Sequence, residues 1–257
     1  MAAPKVKVHL LGGFLGSGKT TLLERLLAHE VARGAKPGVV MNEVGEADVD
    51  GRLVHEAHGA SVDVVGLSGG CVCCDLTEDL AASVQAMASA GRTTVFVETT
   101  GLAAIPQVLD ALAPALRPGS GVELGAVVGV VDATRLDDVL ATWSAARTHL
   151  RGATTVLVNH ADRGQSAAVA RAATTAKRLA PGAEILVTSF ADVDPARILG
   201  ATRTARRRGS GPIEDSTRGF STSALLVLRP VALDRLEALA RRFPRSLVRM
   251  KGIVRVP

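Results

Sequence analysis

Eight residues near the start of the chain constrain its fold more than any other stretch: Gly13-Phe14-Leu15-Gly16-Ser17-Gly18-Lys19-Thr20. They fit the spacing G-x-x-x-x-G-K-[ST], follow a strand-like apolar run at 6–11, and open a segment of helical period at 20–32. Such a turn suits only a strand-to-helix junction, where glycines let backbone N–H groups wrap an anion and the helix N-terminus adds positive potential. Lys19 is expected to pair with the β and γ phosphates of a nucleotide, and the Thr20 hydroxyl to ligate Mg²⁺. Gly13, Gly16, Ser17, Gly18 and Thr21 complete the phosphate-binding stretch. The bland alternative is a glycine-rich turn without a ligand, but the spacing arises by chance in only about 1% of chains of this composition.

The rest of the chain repeats that strand-helix alternation. Apolar, β-branched runs at 6–11, 38–41, 62–67, 93–97, 126–131, 154–158 and 184–187 are the expected strands. Segments of helical period lie at 20–32, 75–90, 105–112, 135–150, 166–179 and 195–204. Alternation of this kind predicts an α/β fold with a mostly parallel sheet covered by helices on both faces, because parallel strands need crossovers. Ligands in such sheets sit at the carboxyl ends of the strands. A solvated basic linker at 201–218 then separates a domain at 1–200 from a strand-helix-strand piece at 219–257, read as 219–228, 232–243 and 248–256. About 39 residues are few for an independent unit, so this is a small partial α+β domain.

Charge and composition narrow the function. The chain has 257 residues and a formal charge of +5, which invites a nucleic-acid reading. The charge, however, is uneven: residues 1–199 carry 17 basic and 21 acidic side chains, and residues 200–257 carry 13 and 4. With aromatics at 2% there is almost nothing to stack on exposed bases, so nucleic acid is not an expected partner. The longest apolar run, 124–131, is too short to span a bilayer, and no signal peptide is evident at the start. The expectation is a cytoplasmic protein without a membrane partner.

All three cysteines fall within four residues, Cys71, Cys73 and Cys74. A cluster this tight and odd in number cannot build a disulfide framework and points to metal or redox chemistry in a reducing compartment. Two or three thiolates favour Zn²⁺ or Cu(I), with a nitrogen or oxygen ligand closing a tetrahedron. Small buried cysteines, or a redox pair at Cys73 and Cys74, are the alternatives.

Two further strand ends carry chemistry. Glu98-Thr99-Thr100-Gly101 stands where an acidic residue can lie near Mg²⁺ and a glycine N–H can sense the γ-phosphate, so Glu98 and Gly101 join Lys19 and Thr20 as catalytic candidates. Asn159-His160-Ala161-Asp162 follows the sixth strand. There Asp162 can accept the paired N1–H and N2–H of guanine, which adenine lacks. GTP-binding proteins usually carry N-K-x-D at this place, so His160 removes the lysine stem that covers the base and leaves an imidazole to stack instead. Asp132, which also ends a strand, reads as structural. His55 and His58 are weak candidates for metal contact.

These segments together resemble the CobW-type GTPases, relatives of the UreG and HypB metallochaperones. The resemblance rests on G-G-F-L-G-S-G-K-T-T-L-L at 12–23, M-N-E-V-G-E at 41–46, S-G-G-C-V-C-C at 68–74, V-E-T-T-G at 97–101, V-V-D-A at 130–133 and N-H-A-D at 159–162. It covers about residues 5–200 and implies a P-loop NTPase fold that hydrolyses GTP, binds Zn²⁺, Co²⁺ or Ni²⁺, and passes the metal to a client metalloprotein. It also implies a metal site beside the nucleotide, with Glu43 and Glu46 assisting Cys71, Cys73 and Cys74, and a nucleotide-dependent homodimer. The segment at 220–256 resembles only the opening strand, helix and strand of the CobW C-terminal domain, and 200–218 lacks the His-rich stretch many relatives carry. Two other functions stay open at this point: a metal or nucleotide sensor with negligible hydrolysis that acts through its C-terminal surface, and a P-loop ATPase or kinase.

Overall fold

The computed structural model describes residues 5–43, 54, 56, 59–68, 76–201, 229–243 and 254–256. Its strands are β1 (Val6–Gly13), β2 (Pro37–Glu43), β3 (Asp63–Ser68), β4 (Thr94–Glu98), β5 (Val122–Asp132), β6 (Thr155–Asn159) and β7 (Glu184–Val187). They form one seven-stranded sheet in the order β3-β2-β4-β1-β5-β6-β7, and every neighbouring pair is parallel. The helices of eight or more residues that cover it are α1 (Lys19–Ala32), α2 (Leu76–Ser89), α3 (Ile105–Leu112) and α5 (Ser166–Leu179); α4 (Leu136–Thr142) and α6 (Pro195–Gly200) are shorter. α7 (Leu233–Ala240) follows near the C-terminus.

Both faces of the sheet are buried, and the period of two along the strands divides them. Val8, Leu10, Val95, Val97, Val127, Val131, Val156 and Val158 enter one core with α2, α3, α4 and α5. Leu11, Val39, Met41, Phe96, Val128, Val130 and Leu157 enter the other with Leu22, Leu23, Leu26 and Leu27 of α1 and Ile198 of α6. This double burial is why the strands read as nearly continuous Val/Leu/Ile runs rather than as alternating ones. α6 starts sharply because the Asp194 carboxylate accepts the Ala196 amide at 2.9 Å and Pro195 occupies the first turn.

Strand order places the site. The chain leaves β1 toward β2 and β3, returns to insert β4 beside β1, and then builds β5, β6 and β7 on the other side. The direction of winding therefore reverses at β1, and the crevice of such a sheet opens at the carboxyl end of that strand. Gly13 is its last residue.

Three expectations need correction. The helix expected at 135–150 is two pieces, α4 and a 3₁₀ turn at Ser144–Thr148, separated by Trp143 in an extended conformation with φ −135° and ψ 97°. At the break the indole packs against Phe14 and His149. The segment expected at 195–204 is helical only over Pro195–Gly200 among the described residues. In the C-terminal piece α7 matches the expected helix; of the strand expected at 248–256, residues 248–253 lie outside the described residues and 254–256 form no strand, with Val231 donating its amide to the Arg255 carbonyl at 2.9 Å. The strand expected at 219–228 lies outside the described residues. Among the described residues, no helix is long and apolar enough to cross a membrane.

Candidate nucleotide cleft

The loop between β1 and α1 takes its shape from backbone that only glycine tolerates. Gly13 has φ +133°, and a Cβ there would stand 2.0 Å from the Val130 carbonyl oxygen of β5. Gly18 has φ +102°, and a Cβ would meet the Asn159 amide at 2.4 Å. Between them Ser17 donates its hydroxyl to the Phe14 carbonyl at 2.9 Å and closes the turn. α1 then begins at Lys19 with no side-chain cap and no acidic residue in its first turn, so its amides face the cleft with the positive end of the helix dipole behind them. The Lys19 ammonium is buried and donates to the carbonyls of Gly13 and Phe14 at 3.1 and 3.0 Å.

An open cleft of about 250 Å³ lies over this loop, lined by Gly16, Gly18, Lys19, Thr20, Thr21, Glu98 and His160. Since β4 and β6 flank β1 and β5 on opposite sides, Glu98 and His160 mark its two ends. At the β4 end the Thr20 hydroxyl donates to the Glu98 carboxylate at 2.9 Å, pairing two hard oxygen groups. Glu98 is buried, held at the last position of β4 between β1 and β2.

The β6 end is tied by side chains. Asn159, almost completely buried, donates through Nδ2 to the Ser17 carbonyl and accepts the Ala191 amide on Oδ1, both at 2.9 Å. One amide thus joins the phosphate loop, β6 and the turn after β7. His160 follows in left-handed conformation, φ 59°, an unusual backbone for a residue with a side chain. Its Nδ1 lies 2.9 Å from the Asp132 carboxylate, whose other oxygen accepts the amide and hydroxyl of Thr134 at 2.8 and 2.7 Å. Burial pushes the Asp132 carboxyl up, but the Thr134 hydroxyl, the His160 ring and the Thr134 amide together hold it below the usual carboxylate range. The carboxylate is therefore ionised, so Nδ1 carries the proton it donates and Nε2 is left for the cleft. Asp132, read from sequence as structural, is thus a fixed orienter of a cleft residue. The register of β5 with β6 sets Asp132 opposite Asn159 and makes the pairing possible.

The structure brings Gly13, Gly16, Ser17, Gly18, Lys19, Thr20 and Thr21 together with Glu98, and places Asn159 against the loop. Asp162 lies in the turn just after His160, its amide held by the Ser189 hydroxyl at 3.0 Å. Gly101 packs against Leu15 rather than lining the cleft. Glu43 is the last residue of β2. Glu46, His55, His58, Cys71, Cys73 and Cys74 lie outside the described residues. Among the described residues, no group of three or more His, Cys, Asp or Glu could hold a metal ion. Sequence reasoning passed over the turn at 188–192, where Phe190 and Ala191 adopt positive φ and Arg25 of α1 donates to the Phe190 carbonyl and the Asp192 carboxylate. Its signal was available: a Thr-Ser pair directly after a strand, at the sheet end where ligands bind.

A parallel sheet wound in both directions from β1, with this loop at the reversal point, defines the P-loop class of nucleotide-binding folds. The profile for "CobW/HypB/UreG, nucleotide-binding domain" matches residues 7–187. The chain belongs to that family of P-loop GTPases. It is 36% identical over 142 residues to zinc-regulated GTPase metalloprotein activator 1 of Schizosaccharomyces pombe, covering 52% of this chain and 34% of the relative. It is 34% identical over 160 residues to the zinc chaperone YeiR of Escherichia coli, covering 61% and 47%. The chain thus spans less than half the length of these curated relatives. The Zn(II)-bound YjiA GTPase from E. coli superimposes with a TM-score of 0.57 at 19% identity, over 93% of this chain and 77% of that one, which shows a common fold.

Proposed function

We propose that the chain is a Mg²⁺-dependent, GTP-hydrolysing metallochaperone that holds a transition metal at Cys71-Val72-Cys73-Cys74 and delivers it to a client metalloprotein. The observation that carries the nucleotide part is the cleft itself, with Lys19 and the Thr20–Glu98 pair at one end and the Asn159 tie at the other, in a chain of this family. Support for the cargo comes from the thiolate cluster, which favours Zn²⁺ over harder ions while leaving Co²⁺ and Ni²⁺ open, and from relatives named as zinc chaperones. Glu43 at the end of β2 and Glu46 just beyond it are the proposed acidic assistants, and metal release would follow when hydrolysis lets this segment go.

At the cleft, Lys19 would exchange its loop carbonyls for phosphate oxygens, while the uncapped amides of α1 hold the rest of the phosphate chain. The Thr20 hydroxyl and Glu98 carboxylate suit Mg²⁺, a hard ion that takes oxygen ligands and, when bound, neutralises charge on the β and γ phosphates. Gly13, Gly16, Ser17, Gly18 and Thr21 complete the phosphate contacts. At the other end Asp162 would accept the guanine N1–H and N2–H, with the His160 ring as the flat surface beside the base. The His160–Asp132 bond favours that reading, since it orients the imidazole before any nucleotide arrives.

The deciding experiment is a Zn²⁺ or Co²⁺ titration with and without GTP and Mg²⁺, repeated on Cys73→Ser. Nucleotide is expected to change metal affinity in the wild type and not in the variant. Unchanged metal affinity rejects the coupling, and ATP competing equally against labelled GTP rejects the base assignment.

A further inference from the structure

Beneath the phosphate loop lies an aromatic cluster, with Phe14 and His149 buried and Trp143 half-buried, that the phosphate chemistry leaves unused. The Phe14 ring meets Trp143 edge-on at 6.0 Å between centroids and His149 at 5.6 Å, and the indole stands 4.4 Å from the His149 ring. His149 has no exposed surface. Each of its ring nitrogens faces a carbonyl oxygen: Nδ1 that of Ala145 at 3.0 Å, and Nε2 that of Leu102 at 2.9 Å. Its own carbonyl accepts the Ile105 amide. The ring therefore touches the phosphate loop on one side and the segment after β4 on the other.

A neutral imidazole has one N–H and can donate to only one of those two carbonyls. Burial holds the ring below the usual imidazole range, and the Lys19 charge adds to that effect against the pull of both carbonyls. A second proton is disfavoured, so the two carbonyls compete for one donor. Leu102 is the handle of a short, tightly seated segment: its amide donates to the Thr100 hydroxyl at 3.0 Å, the Thr99 amide to the Leu11 carbonyl, and a Cβ on Gly101 would stand 2.5 Å from the Leu15 amide nitrogen. Whatever holds the Leu102 carbonyl also sets where the preceding peptide lies against the loop.

We propose that His149 is a positioning residue for the terminal phosphate of a bound nucleotide: its Nε2–H grips the Leu102 carbonyl and holds the Gly101 peptide against the phosphate loop. Coupling runs both ways. A terminal phosphate that meets the Gly101 peptide favours the seated position of this segment and so the Nε2–H bond to the Leu102 carbonyl; a firm grip in turn favours the triphosphate over the diphosphate. This inference rests on the nucleotide reading above and adds a residue that lies behind the phosphate loop, outside the cleft's lining.

Asparagine and glutamine separate the two nitrogens, because the Asn amide falls near the place of Nδ1 and the Gln amide near that of Nε2. The full chain and its His149→Asn and His149→Gln variants are titrated with GDP and with β,γ-imido-GTP, each with Mg²⁺, alongside their melting temperatures. His149→Asn is expected to lose about fivefold of the preference for the triphosphate, the worth of one neutral hydrogen bond, with GDP affinity unchanged. His149→Gln is expected to keep that preference. Equal ratios in all three proteins, or losses for both ligands in step with melting temperature, overturn the proposal. If neither variant folds, Trp143, the single tryptophan, decides in the wild type: its emission should respond to the triphosphate analogue and not to GDP, and equal responses overturn the proposal. A wild type that binds neither ligand overturns the nucleotide reading as well, whereas normal wild-type binding with unaffected variants overturns this inference alone.

Discussion

The two ends of the cleft are built on different principles. At the β1–β4 end the backbone does the positioning: glycines at positive φ shape the loop, α1 opens without a cap, and Glu98 stands at the last position of a buried strand. At the β6–β7 end side chains do it, through Asn159 bonded to residues 142 and 32 positions away and Asp132 bonded to His160. Backbone-built geometry demands particular residue types at fixed spacing, so it leaves a motif. Side-chain ties demand only that two distant groups meet, and they leave none.

That contrast can be broken from either side. Gly13→Ala should have the largest effect, because both its φ and the 2.0 Å approach to Val130 oppose a side chain. A loss of more than about 3 kcal/mol in urea denaturation is expected, and a loss under about 1 kcal/mol would show that the phosphate end can shift.

His9, in the middle of β1, belongs to neither end and accepts the Ala126 amide at 3.0 Å. Burial, with Lys7 adding to it, brings its pKa down to about 4. Between pH 6.5 and 4 the unfolded chain takes up a proton that the folded one refuses, so stability falls as pH drops through that window. The share from His9 is about 3 kcal/mol, and His9→Gln, which cannot titrate, should flatten the profile by that amount.

Asn159→Ala leaves the Ser17 carbonyl and Ala191 amide without their partner. A cost of about 2 kcal/mol is expected, with nucleoside diphosphate affinity falling more than inorganic pyrophosphate affinity. If both affinities fall equally, the tie serves the phosphate end instead. Arg25→Ala should do least, under about 1 kcal/mol, since its bonds to Phe190 and Asp192 are exposed. A larger loss would mean the 188–192 turn depends on α1.

Legibility followed the same division. All seven strands were readable because double burial makes apolar runs, and the phosphate loop was readable because its glycines cannot be other residues. The helix at 135–150 misled because its composition favours a helix throughout; the packing of Trp143 against Phe14 and His149 at the break is not legible in that composition. Asp132 looked structural because its partner is 28 residues away. α7 matched its expected position, and none of its residues is buried among those described.

The sequence by itself determined the class of fold, the phosphate loop and the family, because each depends on local periodicity or on residue types that a backbone conformation enforces. Tertiary structure alone decided which strand lies beside which, and with that the orientation of the cleft from Glu98 to His160. It also decided the pairing of Asp132 with His160 and the seating of His149 under the loop. Those arrangements come from strand order and register, which bring together groups that no local pattern connects.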